Sequence, residues 1–147
     1  MARILAVDWG ERRVGLAVSD PLGILATGLP TLVVRGEAEA VARVTEVCRE
    51  VEAESLVVGL PLTLAGERKD SALAAERFAR ALGDSTGLPV HLYDERLTSA
   101  LAQRRLHETG TRIKGKKGKL DEGAAVALLE GWLARAKYRA SEEEGQA

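Results

Sequence analysis

Three acidic residues stand at the ends of elements that the sequence pattern defines. Asp8 closes the apolar run RILAVD, Glu95 follows the apolar segment PVHLY, and Asp121 opens the last amphipathic helix. A carboxylate at the end of a buried strand is costly unless it is paired or binds a cation. In open α/β sheets ligands gather at the carboxyl ends of parallel strands, where Asp8 and Glu95 would meet. Carboxylates that share such a site repel one another and raise each other's pKa. A divalent cation removes that conflict, and hard oxygen ligands select Mg2+, with Mn2+ as a substitute, over zinc. One or two such ions held by carboxylates can activate water and stabilise the leaving oxygen in phosphodiester hydrolysis. Taken singly, each acid has a simpler use. Asp121 can complement a helix dipole and Glu95 can serve a surface ion pair. Asp8, beside Gly10, is the hardest to explain structurally.

The charge pattern points the same way. The formal net charge is −1, yet the stretch Arg96–Lys119 holds eight bases (Arg96, Arg104, Arg105, Arg112, Lys114, Lys116, Lys117 and Lys119) against one acid, Glu108. A cationic stretch in an otherwise acidic chain suits a phosphate-rich partner, that is, nucleic acid; a solvated loop is the bland alternative. Aromatic residues make up only 3% of the chain, which disfavours a base-stacking sheet and leaves backbone contacts to dominate. Trp9 could stack on a base or cap the core. Phe78 and Trp132 fall on apolar helical stripes, and His91 lies within a strand pattern, so these read as structural. Two distant histidines and one cysteine, Cys48, exclude a zinc site of the usual kind and an internal disulfide.

The elements that must position the acids follow from periodicity. Arg3–Asp8 and Val14–Ser19 read as strands joined by a polar turn, hence as an antiparallel hairpin, and Leu29–Val34 as a third strand. Glu37–Glu52 places Val41, Val44, Val47, Cys48 and Val51 on one helical face. Ser55–Gly59 is a continuous apolar run suited to a strand buried on both faces. A helix follows from about Asp70 to Leu82, then a strand Pro89–Tyr93. A further helix capped by Thr98 or Ser99 runs to about Glu108, followed by a mobile segment Gly110–Lys119. The last helix, from near Asp121, carries Ala125, Leu128, Leu129, Trp132 and Ala136 along one stripe.

With 147 residues, 46% of them hydrophobic and 29% charged, the chain fits one α/β domain over residues 1–140, with Ser141–Ala147 as a frayed acidic tail. No apolar run approaches the roughly 20 residues of a bilayer span, and the N-terminus lacks a signal-peptide pattern, so a cytoplasmic location with no membrane partner is expected.

Four ordered motifs carry a resemblance. The runs AVDWGERRVGLAVSD (Ala6–Asp20), VVGLPLTLAG (Val57–Gly66), YDERLTSALA (Tyr93–Ala102) and KGKLDEGAAVALLE (Lys117–Glu130) resemble the YqgF family, also called RuvX, across nearly the whole chain. Its members are assigned to pre-16S rRNA processing and have long been described as Holliday junction resolvases. The resemblance implies a ribonuclease H-like fold, a five-stranded mixed sheet with an antiparallel second strand, flanked by helices. It also implies that Asp8, Glu95 and Asp121 are the catalytic, metal-binding acids, and that Arg96, Thr98 and Ser99 match the rest of the family's DER motif. Arg96 could reach phosphate or pair with Asp94 or Glu95. Thr63 departs from the asparagine common at its position. The implied activity is magnesium-dependent endonucleolytic cleavage of precursor ribosomal RNA, with the ribosome as a further partner, in a monomer or homodimer. A DNA junction resolvase and a non-catalytic nucleic-acid-binding factor are the alternatives.

Overall fold

In the computed structural model, backbone is described for residues 3–62, 65–67, 69–97 and 117–146, and for the last helix side chains are described from 123 to 137. Arg3–Asp8 (β1) and Arg13–Ser19 (β2) form the expected antiparallel hairpin, in register Leu5↔Val18 to Asp8↔Gly15. Ala26–Val33 (β3) pairs antiparallel with β2, while Ala53–Leu60 (β4) and Val90–Asp94 (β5) extend the sheet in parallel from β1. The order is β3-β2-β1-β4-β5, a five-stranded mixed sheet in which only β2 opposes the others. Central position explains composition. In β1 Leu5, Ala6 and Val7, and in β4 Leu56, Val57 and Val58, are fully buried, because both faces of these strands are covered.

Two cores follow from strand alternation. Leu5, Val7, Leu16, Leu56 and Val58 face helices Glu37–Val51 (α1) and Asp70–Thr86 (α2), meeting Val44, Cys48, Phe78 and Leu82. Ala6, Ala17, Val57 and Tyr93 face the opposite way, against Ala125, Leu128 and Leu129 of helix Lys117–Gln146 (α3). That second face carries the site described below.

The element boundaries depart from the sequence reading where a local signal is weak. β3 begins at Ala26 rather than Leu29, since an edge strand with half-exposed residues shows no clear alternation. Its Pro30, with no N–H to offer, blunts the free edge. α2 passes through Gly83 and stops at Gly87, whose φ of 72° and N–H bond to the Gly83 carbonyl make the left-handed cap. Over the segment expected as an acidic tail, the backbone of 141–146 is helical and continues α3 through the helix-forming Glu142–Glu144. α3 also starts earlier than expected, at Lys117, which takes the end of the Gly110–Lys119 segment into helix. Residues 110–116 of that segment, and the helix expected from Thr98 or Ser99 to Glu108, lie outside the described residues.

Candidate active site

β1, β4 and β5 run in parallel and end together. The β1–β4 register closes on Val7↔Val58, so Asp8 and Gly59 come next on adjacent strands, roughly 4.8 Å apart in the sheet. Gly59 in turn pairs with Tyr93 of β5, two residues before Glu95. Strand alternation puts Asp8 on the face of Ala6, and Gly59 on the face of Val57, which is the α3 side. The Glu95 side chain comes to this face. A Cβ added at Gly59 would overlap Glu95 Oε1 and lie 3.1 Å from both its Cδ and its Cγ. Glu95 is 1% exposed although it sits in a single 3-10 turn, Glu95–Leu97. Two of the three acids therefore lie on one face at the carboxyl end of the parallel strands, Glu95 buried and Asp8 half-buried.

The turn that aims Glu95 inward is held by its neighbours. Arg96 grips Asp94 with Nε at 3.1 Å from both carboxylate oxygens and Nη2 at 2.7 Å from Oδ2, while the Arg96 backbone N–H donates to Oδ1 at 2.9 Å. A Cβ at Gly66, where φ is +84°, would stand 3.2 Å from Arg96 Nη1, so the β4–α2 connection packs on this guanidinium. Of the two uses open to Arg96, the structure shows the ion pair with Asp94. Hydrogen bonds from Arg96 hold the Asp94 carboxyl below its ordinary pKa, so the pair's contribution is complete above the unfolded value of about 3.9 and is lost as pH falls through the lower folded value. Asp94→Asn should cost about 1 kcal/mol at pH 7 after allowance for solvent screening. Chemical denaturation should show that deficit shrinking as the pH approaches 3.

The whole chain can be set against known proteins. Residues 2–135 match the RuvX family, described as Holliday junction resolvase. The chain belongs to the RuvX family. Among its relatives, a protein of Anaeromyxobacter dehalogenans is 44% identical over 90% of this chain and 97% of its own length. One from Nocardia farcinica is 44% identical over 89% and 77%, and one from Koribacter versatilis 45% identical over 90% and 87%. All three carry the provisional name pre-16S rRNA nuclease. Thermus thermophilus RuvC, solved with a Holliday junction substrate, superposes with a TM-score of 0.57 at 21% identity, covering 91% of this chain and 96% of that one. A second RuvC structure from that organism gives 0.56 at 19% identity, covering 92% and 96%. These likenesses establish the ribonuclease H-like fold.

In this RuvX chain the third acid, Asp121, lies on the backbone of α3 one turn before Ala125, which packs against the sheet face that bears Asp8 and Glu95. Its side chain falls outside the described set, as do those of Lys117 and Lys119. Arg104, Arg105, Arg112, Lys114 and Lys116 lie outside the described residues altogether, as do Thr63, Thr98 and Ser99. Among the described residues no three His, Cys, Asp or Glu side chains form a metal-binding group. The two acids that are described fit a hard dication: they offer an oxygen-only donor set, and the absence of a Cβ at Gly59 leaves room for the Glu95 carboxylate.

The aromatic residues take structural places. Trp9 stacks on Phe78 with centroids 4.3 Å apart and planes 12° from parallel, on the sheet face away from Asp8. His91 stacks on Trp132 at 4.9 Å, and Tyr93 meets Trp132 edge-on while its hydroxyl donates to the Gly131 carbonyl. Sequence reasoning missed Gly59, which it read only as the end of an apolar run. The signal was a glycine where a branched residue would be expected.

Proposed function

We propose that this RuvX-family nuclease is a magnesium-dependent endonuclease that trims the 5′ end of precursor 16S ribosomal RNA in the cytoplasm. The observation that carries the reading is the buried Glu95 carboxylate, seated over Gly59 beside the strand end that bears Asp8. Asp8 and Glu95, with Asp121 from the start of α3, would hold one or two Mg2+ ions, and Mn2+ could substitute. When bound, such an ion lowers the pKa of the attacking water and neutralises charge on the phosphodiester. The carboxylates fix where the scissile phosphate sits, and burial of Glu95 keeps its position from wandering. Arg104, Arg105, Arg112, Lys114, Lys116, Lys117 and Lys119 would grip flanking phosphates, which makes binding salt-dependent. Arg96, held by Asp94 at the β5 end, would join this track. The relatives' shared name supports RNA as substrate, and a single site suffices for such a cut, so a monomer can act.

Resolution of DNA junctions is the second reading, favoured by the family description and by the junction-bound RuvC. It would require two sites in a dimer. Both readings meet one assay, in which a precursor spanning the 5′ end of the small-subunit RNA and a four-way DNA junction are incubated with Mg2+, with Mn2+ or with chelator. Metal-dependent cleavage of the RNA at a defined position, with the junction largely intact, is expected. Cleavage that persists in chelator would overturn the metal assignment, and preferential junction cutting would favour resolution.

A further inference from the structure

Gly59 is an anomaly in its own strand. Gly59 follows the buried run Leu56, Val57 and Val58, and a glycine inside a strand costs entropy and leaves nothing to pack. Its backbone does not require glycine, since the described glycines with positive φ are Gly23, Gly66 and Gly87. The space beside it supplies the reason. The three atoms nearest to an added Cβ are Oε1, Cδ and Cγ of Glu95, all from one side chain. We propose that Gly59 is a positioning residue of the active site, leaving empty the volume in which the Glu95 carboxylate must rest to share a dication with Asp8. This rests on the metal-dependent reading above and names a residue through which that site is built.

The physical argument separates fold from site. The three atoms nearest to a methyl at position 59 all belong to the Glu95 side chain, so the first relief comes from displacing Glu95 rather than the sheet. Glu95 is buried, and few alternative rotamers are open to it. Its carboxylate therefore leaves the hollow next to the β1 end, and the oxygen cluster loses a member while β4 keeps its pairing on both sides.

The experiment compares wild type, Gly59→Ala, Glu95→Ala and the double variant. Melting temperature is measured for all four, Mn2+ binding by electron paramagnetic resonance for all four, and the crystal structure of Gly59→Ala is solved. Gly59→Ala should fold, bind Mn2+ at least tenfold more weakly than wild type, and show the carboxylate displaced. In the Glu95→Ala background the same substitution should change neither Mn2+ binding nor melting temperature adversely, because the three atoms nearest to the methyl are gone. Wild-type Mn2+ affinity in Gly59→Ala with Glu95 unmoved would overturn the inference. So would a Gly59→Ala penalty that persists in full without the Glu95 side chain, since position 59 would then matter to the sheet itself. A wild-type protein that neither binds Mn2+ nor cleaves would sink the metal reading instead. The crystal structure and the melting temperatures would still decide whether Gly59 seats Glu95.

Discussion

Asp8→Asn should abolish Mg2+-dependent cleavage, by at least about 100-fold, while the protein stays folded and still binds RNA. Asparagine keeps the shape of the side chain and one carbonyl oxygen but removes the charge that a hard dication demands. Metal stabilisation of a phosphodiester transition state is worth several kcal/mol, and each ~1.4 kcal/mol is a factor of ten in rate. The fold should tolerate the change because Asp8 sits at the last position of β1, half-buried, and its backbone pairing with Gly15 does not involve the side chain. RNA binding, measured with chelator present, should be nearly unchanged if the basic segment provides the grip. Single-turnover cleavage and filter binding on the same preparation separate these terms. Undiminished Mg2+-dependent hydrolysis would remove Asp8 from the catalytic set.

That expectation could be framed from sequence because Asp8 and Glu95 announce themselves locally: each is an acid at the end of an apolar strand pattern. The α/β class and the antiparallel hairpin were legible for the same reason, since continuous apolar runs mark β1 and β4. Gly59 was not legible, because the side chain it makes room for, Glu95, follows β5 and is distant in sequence, near only in the folded sheet. The Arg96 ambiguity had a similar source. Phosphate, Asp94 and Glu95 are all chemically acceptable partners for a guanidinium, and only the geometry of the Glu95–Leu97 turn selects Asp94. The end of α2 was misplaced because glycine is both a helix stop and a tolerated interior residue. Gly83 is the second and Gly87 the first, a distinction made by φ and not by residue type.

Phe78→Ala should be the most destabilising of the single substitutions considered, costing about 3–5 kcal/mol. Phe78 is fully buried on α2 and, among the described residues, is the largest side chain that is completely shielded. Its stacking on Trp9 adds a geometry-specific term, about 0.5–1.5 kcal/mol for a well-placed aromatic pair, that truncation also forfeits. Set against a total stability of roughly 5–15 kcal/mol for a domain, this is a large fraction. For a chain of this length it corresponds to a fall in melting temperature of about 10–15 °C. The loss reaches the site by a short path. Trp9 follows Asp8 directly, and Gly10 after it allows a turn so tight that a Cβ there would lie 2.7 Å from the Arg13 carbonyl oxygen. With Phe78 gone, the β1 end loses the surface on which Trp9 rests, and Asp8 is less firmly placed. Cleavage below the new melting point should therefore fall by a modest factor, far less than for Asp8→Asn. Phe78→Leu, which restores most of the volume but not the ring, should recover most of the stability. Urea denaturation followed by circular dichroism, paired with cleavage rates at a temperature where all variants are folded, tests both effects. A Phe78→Ala cost under about 1 kcal/mol would show that this site collapses around the missing ring, and that α2 does not anchor the strand end carrying Asp8.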